Sequence, residues 1–409
     1  MKSEQEDNRN VAMDFLVTLM HAWALVSRSI SGPWLLVHHF YKAIVFICMG
    51  SLLVSELIAI GIGGDDMLTL SLNTCVMLSN AVAIYKLVLS TVWPGRYRSL
   101  VEHVVRSLPD YLSHDAAGRR RLVADSRTAY TFTMGFVVCG HVTVASWSLL
   151  PLLLKPVEKL RLPLVAWTPF DSSCGLGFLV TYVYQFTCTL FMAWTSGATD
   201  LICVNVVMQL CSHLEILCCH LQRVGAQCCG DAGGSCDHGY LGKSAEKPTP
   251  DKDDLRDQLR RCIRYHQEII SVAREMDSLL WSIVLSQCLC GMSVLCLLLF
   301  QMALHTLTIE TIAKYLSYMA SILLQIFCYC WFGDNLSSKS TAVARVAYSC
   351  AWTRGSAGFG RSLCILMARA QRPLIVSGGS FYILSREAFI RILNASYSYF
   401  AVLYSMSDK

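Results

Sequence analysis

Stretches of about 20 or more largely apolar residues recur from one end of this chain to the other, near 35–60, 67–91, 130–154, 175–199, 281–304, 311–333 and 386–406. A helix needs roughly 20 residues to cross the hydrocarbon core of a bilayer. Inside lipid every backbone amide and carbonyl must be bonded within the protein, so such stretches fold as helices. Hydrophobic residues make up 54% of the 409 and charged residues 15%, whereas soluble chains carry about 25% charge. The sequence therefore predicts an all-α polytopic membrane protein with seven transmembrane helices.

Lys and Arg placement sets the direction. With the N-terminus inside, 25 of them fall in cytoplasmic segments and 5 outside. Trp34, Trp93, Trp281 and Trp331 then lie near cytoplasmic span ends, where amphipathic rings anchor a helix. This topology, N-terminus cytoplasmic and C-terminus extracellular, is the inverse of a G-protein-coupled receptor. The motifs of that class are missing as well: no Asp-Arg-Tyr follows the third span, and no Asn-Pro-x-x-Tyr lies in the seventh.

Four regions follow. Residues 1–34 form a cytoplasmic N-terminal segment whose stretch 11–26, with Asp14 and His21, reads as an interfacial helix and not a cleaved signal. Spans one to six occupy 35–333, residues 334–373 form cytoplasmic anchor helices, and 374–409 hold a joint and the last span. Span four continues as a helix to about Val224, then "GAQCCGDAGGSCDHGYLGKSAEKPTPDKDD" (225–254) reads as a flexible cytoplasmic insert. Its Cys228, Cys229, Cys236 and His238 match no zinc spacing, so neither a metal nor another cofactor is expected. The outer loops are short, which suggests a small ligand bound within the membrane region.

Isolated charges within the spans bear on transport. Glu56 lies near the outer end of span one and Asp200 at the inner end of span four, while Lys86 is placed to snorkel to the inner surface. No acid–base relay, inverted repeat or catalytic constellation is visible, so no enzyme is expected.

On a helical wheel, Arg391, Asn394, Ser398, Val402 and Ser405 share one face of the last span, and Phe389, Leu393, Tyr397, Phe400 and Tyr404 the other. A polar stripe in lipid must face protein or water. It either lines a pore shared by several subunits, with Val402 gating by dewetting, or packs against neighbouring helices.

The runs "QIFCYCWFGDNLSSKSTAVARVAYSCAW" (325–352) and "ARAQRPLIVSGGSFYILSREAFIRILNASYSYFAVLYSM" (368–406) resemble insect odorant receptors. Tyr-Cys-Trp-Phe-Gly at 329–333, Arg369-Ala-Gln-Arg-Pro373 and the terminal Ser-Tyr-Ser-Tyr-Phe carry the likeness. Weaker echoes are "GPW" (32–34), "LP" (162–163), "WTPFD" (167–171) and "YVYQ" (182–185). "WTR" (352–354) and "SR" (385–386) depart from the usual pattern. The resemblance implies an odorant-gated, nonselective cation channel, a heterotetramer in which an odorant-specific subunit joins the odorant co-receptor, in the plasma membrane of olfactory sensory neurons. The terminal Ser-Tyr-Ser-Tyr-Phe fits the odorant-specific subunit. The sister taste receptors, or a metabotropic seven-helix chemoreceptor, are the alternatives.

The resemblance also implies site residues. Asn394, Ser398, Val402, Ser405 and Met406 would line or gate the pore, and Leu363, Leu366 and Ala370 would form an assembly anchor, unless that stripe packs within the subunit. A small volatile odorant would bind in the outer half of the bundle, among Asn73, Met77, Thr143, Ser146, Trp147, Leu150, Tyr182, Phe186, Tyr315 and Tyr318.

Overall fold

The computed structural model describes residues 33–62, 67–108, 115–154, 162–172, 175–224, 252–304, 308–379 and 382–407. The interfacial stretch 11–26 and insert positions 225–251 lie outside the described residues. The described helices are α1 (Pro33–Ile62), α2 (Met67–Val92), α3 (Pro94–Glu102), α4 (Ala116–Ser148), α5 (Leu150–Leu154), α6 (Gly175–Arg223), α7 (Lys252–Leu304), α8 (Ile309–Tyr348), α9 (Ala357–Ala370) and α10 (Arg386–Ser407).

Helices α1, α2, α4, α6, α7 and α8 are long and apolar enough to cross a membrane. The seventh expected span, α10, has 22 residues, which is sufficient length. It is less apolar than the others because Arg386, Glu387, Arg391 and Asn394 sit among its residues. The expected helical continuation of span four is present, and α7 begins at Lys252, three residues before the expected Leu255.

Helix α6 is the centre of the molecule. Its residues from Ala198 to Leu217 are buried with few exceptions, and α1, α2, α4, α7 and α8 all pack on it. This explains why its apolar residues do not keep to one stripe: a helix enclosed on all sides needs no polar face. Helices α6, α7 and α8 have 49, 53 and 40 residues, far beyond the length of one span. They continue together into an extension on the side that the charge count assigns to the cytoplasm.

That extension is a packed core of its own. Leu217 of α6, Ile269 of α7 and Val343 of α8 are fully buried there, together with Phe359, Leu363, Leu366 and Ala370 of α9. Ser356 caps α9 by accepting from the Phe359 amide, and Pro373 follows three residues after its end. The stripe expected as an assembly seam is thus turned inward, because an amphipathic helix of 14 residues buries its apolar face against the nearest core, here α7 and α8 of the same chain. The opposite face of α9 carries Ile365, which is 66% exposed. His213 and His266 are also buried in the extension, and burial pushes their pKa values down to about 3 and about 4.

The expected joint before α10 is a hydrogen-bonded hairpin. The Gly378 amide donates to the Tyr382 carbonyl at 2.7 Å and the Leu384 amide to the Val376 carbonyl at 3.0 Å. Asp277 of α7 accepts from the amide and hydroxyl of Ser377 at 2.8 and 2.9 Å. Gly379 has φ +65°, a conformation that suits glycine, and a Cβ there would sit 3.0 Å from Trp281. Gly333, which closes the Tyr-Cys-Trp-Phe-Gly run, lets the hairpin approach α8: a Cβ there would fall 2.9 Å from Cβ of Leu384. Two residues before it, Trp331 carries the Arg386 guanidinium 4.6 Å from its ring centroid, while Arg386 also pairs with Asp334 at 2.7 Å. These landmark residues fix where α10 leaves the bundle.

Candidate functional site

A cavity of about 180 Å³ lies between the spans, room for roughly ten water-sized groups. Its walls come from α2 (Ser79, Asn80, Ala83), α4 (Phe136, Gly140, Thr143, Trp147), α6 (Thr189, Met192, Ser196), α7 (Gln287, Cys290) and α8 (Tyr318, Ser321, Gln325). Gly140 keeps it open, since a Cβ there would meet no atom within 4 Å.

Most polar wall groups bond to one another, and this joins the helices. The hydroxyls of Thr143 and Ser321 are 2.6 Å apart, those of Ser79 and Tyr318 2.5 Å. Trp147 donates through Nε1 to the Lys314 carbonyl at 3.3 Å and meets Tyr318 edge-on at 5.7 Å. Hydroxyls paired in this way present mainly carbon to the cavity, the pattern of a site for small apolar molecules.

Pro163 and Leu164 line the outer end. Gln185 holds this segment with both ends of its amide, accepting from the Leu164 amide at 3.1 Å and donating to its carbonyl at 3.2 Å. Farther along, the Trp167 amide donates to the Ser55 carbonyl at 3.1 Å. The short "LP", "WTPFD" and "YVYQ" echoes of the sequence thus meet at a lid.

At the other end is a buried ion pair. Lys86, expected to snorkel to the surface, is instead 0% exposed. Its Nζ donates to Asp200 Oδ1 at 2.5 Å, to Gln287 Oε1 at 2.7 Å and to Ser196 Oγ at 2.9 Å. Tyr329 donates to the same Asp200 oxygen at 2.6 Å. The snorkelling expectation fails because Lys86 faces α6, where a carboxylate satisfies it inside the protein. Charges within a membrane bundle are found paired for this reason. Glu56 is likewise inside, 1% exposed, and its two oxygens accept from the Asn80 amide at 2.7 and 2.8 Å.

Of the ten residues expected to meet a ligand, Thr143, Trp147 and Tyr318 line the cavity. Asn73 lines a small neighbouring pocket with Glu56 and Leu164. Ser146 bonds Ser317 at 2.7 Å, Tyr182 donates to the Ser148 carbonyl, and Tyr315 is buried in the core. Met77, Leu150 and Phe186 do not line the cavity. On α2 the lining runs from Val76 to Ala83 and on α6 from Thr189 to Gly197, so most of it lies deeper than Asn73, Met77, Tyr182 and Phe186. The lid fills the outermost turns and pushes the empty space toward mid-membrane. Gln287 and Gln325 were missed; a polar residue inside an apolar span was the available signal.

Helix α10 packs on α7 and α8 through Ala388, Ile392 and Ser396, which are buried, and Ser396 donates to the Met292 carbonyl at 3.2 Å. Asn394, Ser398, Val402, Ser405 and Met406 are all exposed on this single chain. Tyr397, Tyr399 and Tyr404 are exposed as well.

Taken together, these features define a helical membrane protein with an internal small-molecule cavity and a terminal helix whose polar side its own chain leaves uncovered. Residues 66–397 match the 7tm odorant receptor family, and the chain belongs to that family. Odorant receptor Or2 of Anopheles gambiae is 32% identical over 146 residues, 36% of this chain and 38% of that receptor. Odorant receptor 49a of Drosophila melanogaster is 27% identical over 241 residues, 59% of this chain and 55% of that one. The match thus spans between about a third and just over half of the length of these two relatives. Odorant receptor 13a of Drosophila melanogaster is 21% identical over 362 residues, covering 84% of this chain and 81% of that receptor. The solved insect olfactory receptor OR5 from Machilis hrabei, in complex with eugenol, shares the fold with a TM-score of 0.79 at 15% identity, covering 96% of this chain and 97% of that chain.

Proposed function

We propose that this chain is the odorant-specific subunit of an odorant-gated, nonselective cation channel, working with the odorant co-receptor in the plasma membrane of olfactory sensory neurons. Its N-terminus is cytoplasmic and its C-terminus extracellular. The observation that carries this reading is the exposed stripe Asn394, Ser398, Val402, Ser405 on α10. A polar stripe on a membrane helix that its own chain does not cover needs water or other subunits against it. Around a shared axis it lines a pore, and Val402 narrows it.

An odorant enters the cavity between α2, α4, α6, α7 and α8 and contacts Thr143, Trp147 and Tyr318. It opens the channel only by binding the open arrangement more tightly than the closed one. Helix α7 carries the effect, because it holds Gln287 and Cys290 in the cavity wall and packs along α10. The exposed face of α9 around Ile365, rather than Leu363, Leu366 and Ala370, is available for subunit contact.

The test is whole-cell recording with a panel of volatiles, with and without the co-receptor. Odorant-evoked cation current that requires both chains and persists without intracellular GTP supports the reading. Current that disappears without GTP indicates a metabotropic receptor, and full current without co-receptor indicates a taste-receptor-like channel.

A further inference from the structure

Behind the inner wall of the cavity, the Lys86–Asp200 pair bonds two lining residues, Gln287 and Ser196, and sets their polarity. An ammonium donates and never accepts. The Gln287 oxygen, 2.7 Å from Lys86 Nζ, must therefore be its acceptor, which turns the Gln287 nitrogen outward. That nitrogen donates to Gln325 Oε1 at 2.8 Å. The Gln325 oxygen is thereby turned toward Gln287, which leaves Nε2, on the other arm of this lining carboxamide, to donate. Ser196 Oγ also accepts from Lys86 at 2.9 Å, and keeps its proton and one lone pair. Both residues line the cavity.

We propose that the Gln325 amide nitrogen forms a donor subsite at the floor of the cavity, and that this receptor prefers volatiles with an apolar body and one hydrogen-bond-accepting oxygen, a ketone or an ester. The proposal rests on the odorant-receptor reading above and names the ligand class for that site. Lys86 acts as a positioning residue: it polarises the two carboxamides in series, and a donor at the end of such a chain is strengthened. Elsewhere in the wall, Thr143, Ser321, Ser79 and Tyr318 are paired across helices and add little selection. Ser148 Oγ is buried without a partner, but a hydroxyl both donates and accepts and so does not choose between ligand classes.

The experiment uses the full chain expressed with co-receptor, probed with 2-octanone, pentyl acetate and 1-octene, with cell-surface labelling as the control. In the wild type the ketone and ester should be about tenfold more potent than the hydrocarbon, the ratio that one net hydrogen bond of about 1.4 kcal/mol provides. Gln325→Leu, close in size and unable to donate, should reduce that ratio to about twofold or less. Gln325→Asn keeps the amide but shortens its reach, and should give an intermediate ratio. If 1-octene matches the oxygenated ligands on the wild type, or if Gln325→Leu at the surface keeps the full ratio, the donor subsite is wrong while the receptor reading stands. If no volatile evokes current from surface-expressed wild-type protein, the receptor reading fails and the inference with it. Should Gln325→Leu not reach the surface, the wild-type ratio and Gln325→Asn still decide.

Discussion

The cavity and the terminal helix place polar side chains inside a membrane in opposite ways. Around the cavity, Thr143 meets Ser321, Ser79 meets Tyr318, and Lys86 meets Asp200, each pair joining two helices of one chain. On α10, Asn394, Ser398 and Ser405 stay exposed; the Ser398 and Ser405 hydroxyls turn back to carbonyls of their own helix. The first site is complete within a single chain, whereas the second is, on the proposed reading, completed by other chains or by water. This division fits a receptor in which ligand specificity belongs to the individual subunit and conduction to the assembly. Ser396 and Ser398 show it within two residues: one is buried against α7, the other faces out.

The largest effect that would sharpen the contrast is on folding. Lys86→Met leaves the Asp200 carboxylate buried and unpaired, a loss of about 3–5 kcal/mol, and should nearly abolish surface expression. Combining it with Asp200→Leu should recover much of the signal, because an apolar pair of similar volume is often neutral or better. Recovery measured by surface biotinylation checks this. Next in size, Gly140→Phe should fill the cavity and raise odorant half-maximal concentrations more than tenfold while ion permeability ratios stay fixed. Tyr318→Ala should shift potency by about the same order, since it removes a buried aromatic ring and its hydroxyl contact. Val402→Ala works in the reverse sense, and should raise current in the absence of odorant while changing relative potencies among odorants less than twofold. A Val402 variant that reorders odorant preference, or a Gly140 variant that alters permeability, would break the separation of the two sites.

The smallest expected effect concerns the extension and pH. His213 and His266 are neutral in the fold, with pKa values held down by burial to about 3 and about 4, whereas the unfolded chain binds protons below about 6.5. The unfolded state therefore holds more protons between those values, and stability falls as pH drops below 6.5. The slope is on the order of 1 kcal/mol per pH unit for each histidine. Thermal unfolding of the purified protein should begin at lower temperature at pH 5.5 than at pH 7.5, and His266→Gln should lessen the difference.

Much of the fold was legible because its causes are local. Apolar length marked seven spans, six of which are long and apolar enough to cross a membrane, α6 kept its helical character to the expected end, and the Gly, Pro and charge content separated the two halves of the extension. Residues of the last span were sorted onto faces by spacing alone. The position of the cavity was less legible. Empty space depends on how far the lid at Pro163 and Leu164 reaches into the bundle, and that depth is a tertiary property. On α2 and α6 most of the lining accordingly lies deeper than the candidate residues. Lys86 was misjudged for a related reason: whether a lysine snorkels or pairs depends on the helix opposite it, and Asp200 is more than a hundred positions away in sequence. The anchor stripe Leu363, Leu366 and Ala370 was correctly seen as apolar, but periodicity does not say whose core it enters.

The most direct test replaces Ser396, Ser398, Val402 and Ser405 one at a time by cysteine in the assembled channel and applies a charged thiol reagent during odorant stimulation. The account predicts that reagent changes the current at 398, 402 and 405 and spares 396, which is sealed against α7. Equal silence at all four positions, with normal surface expression and odorant response, would contradict it.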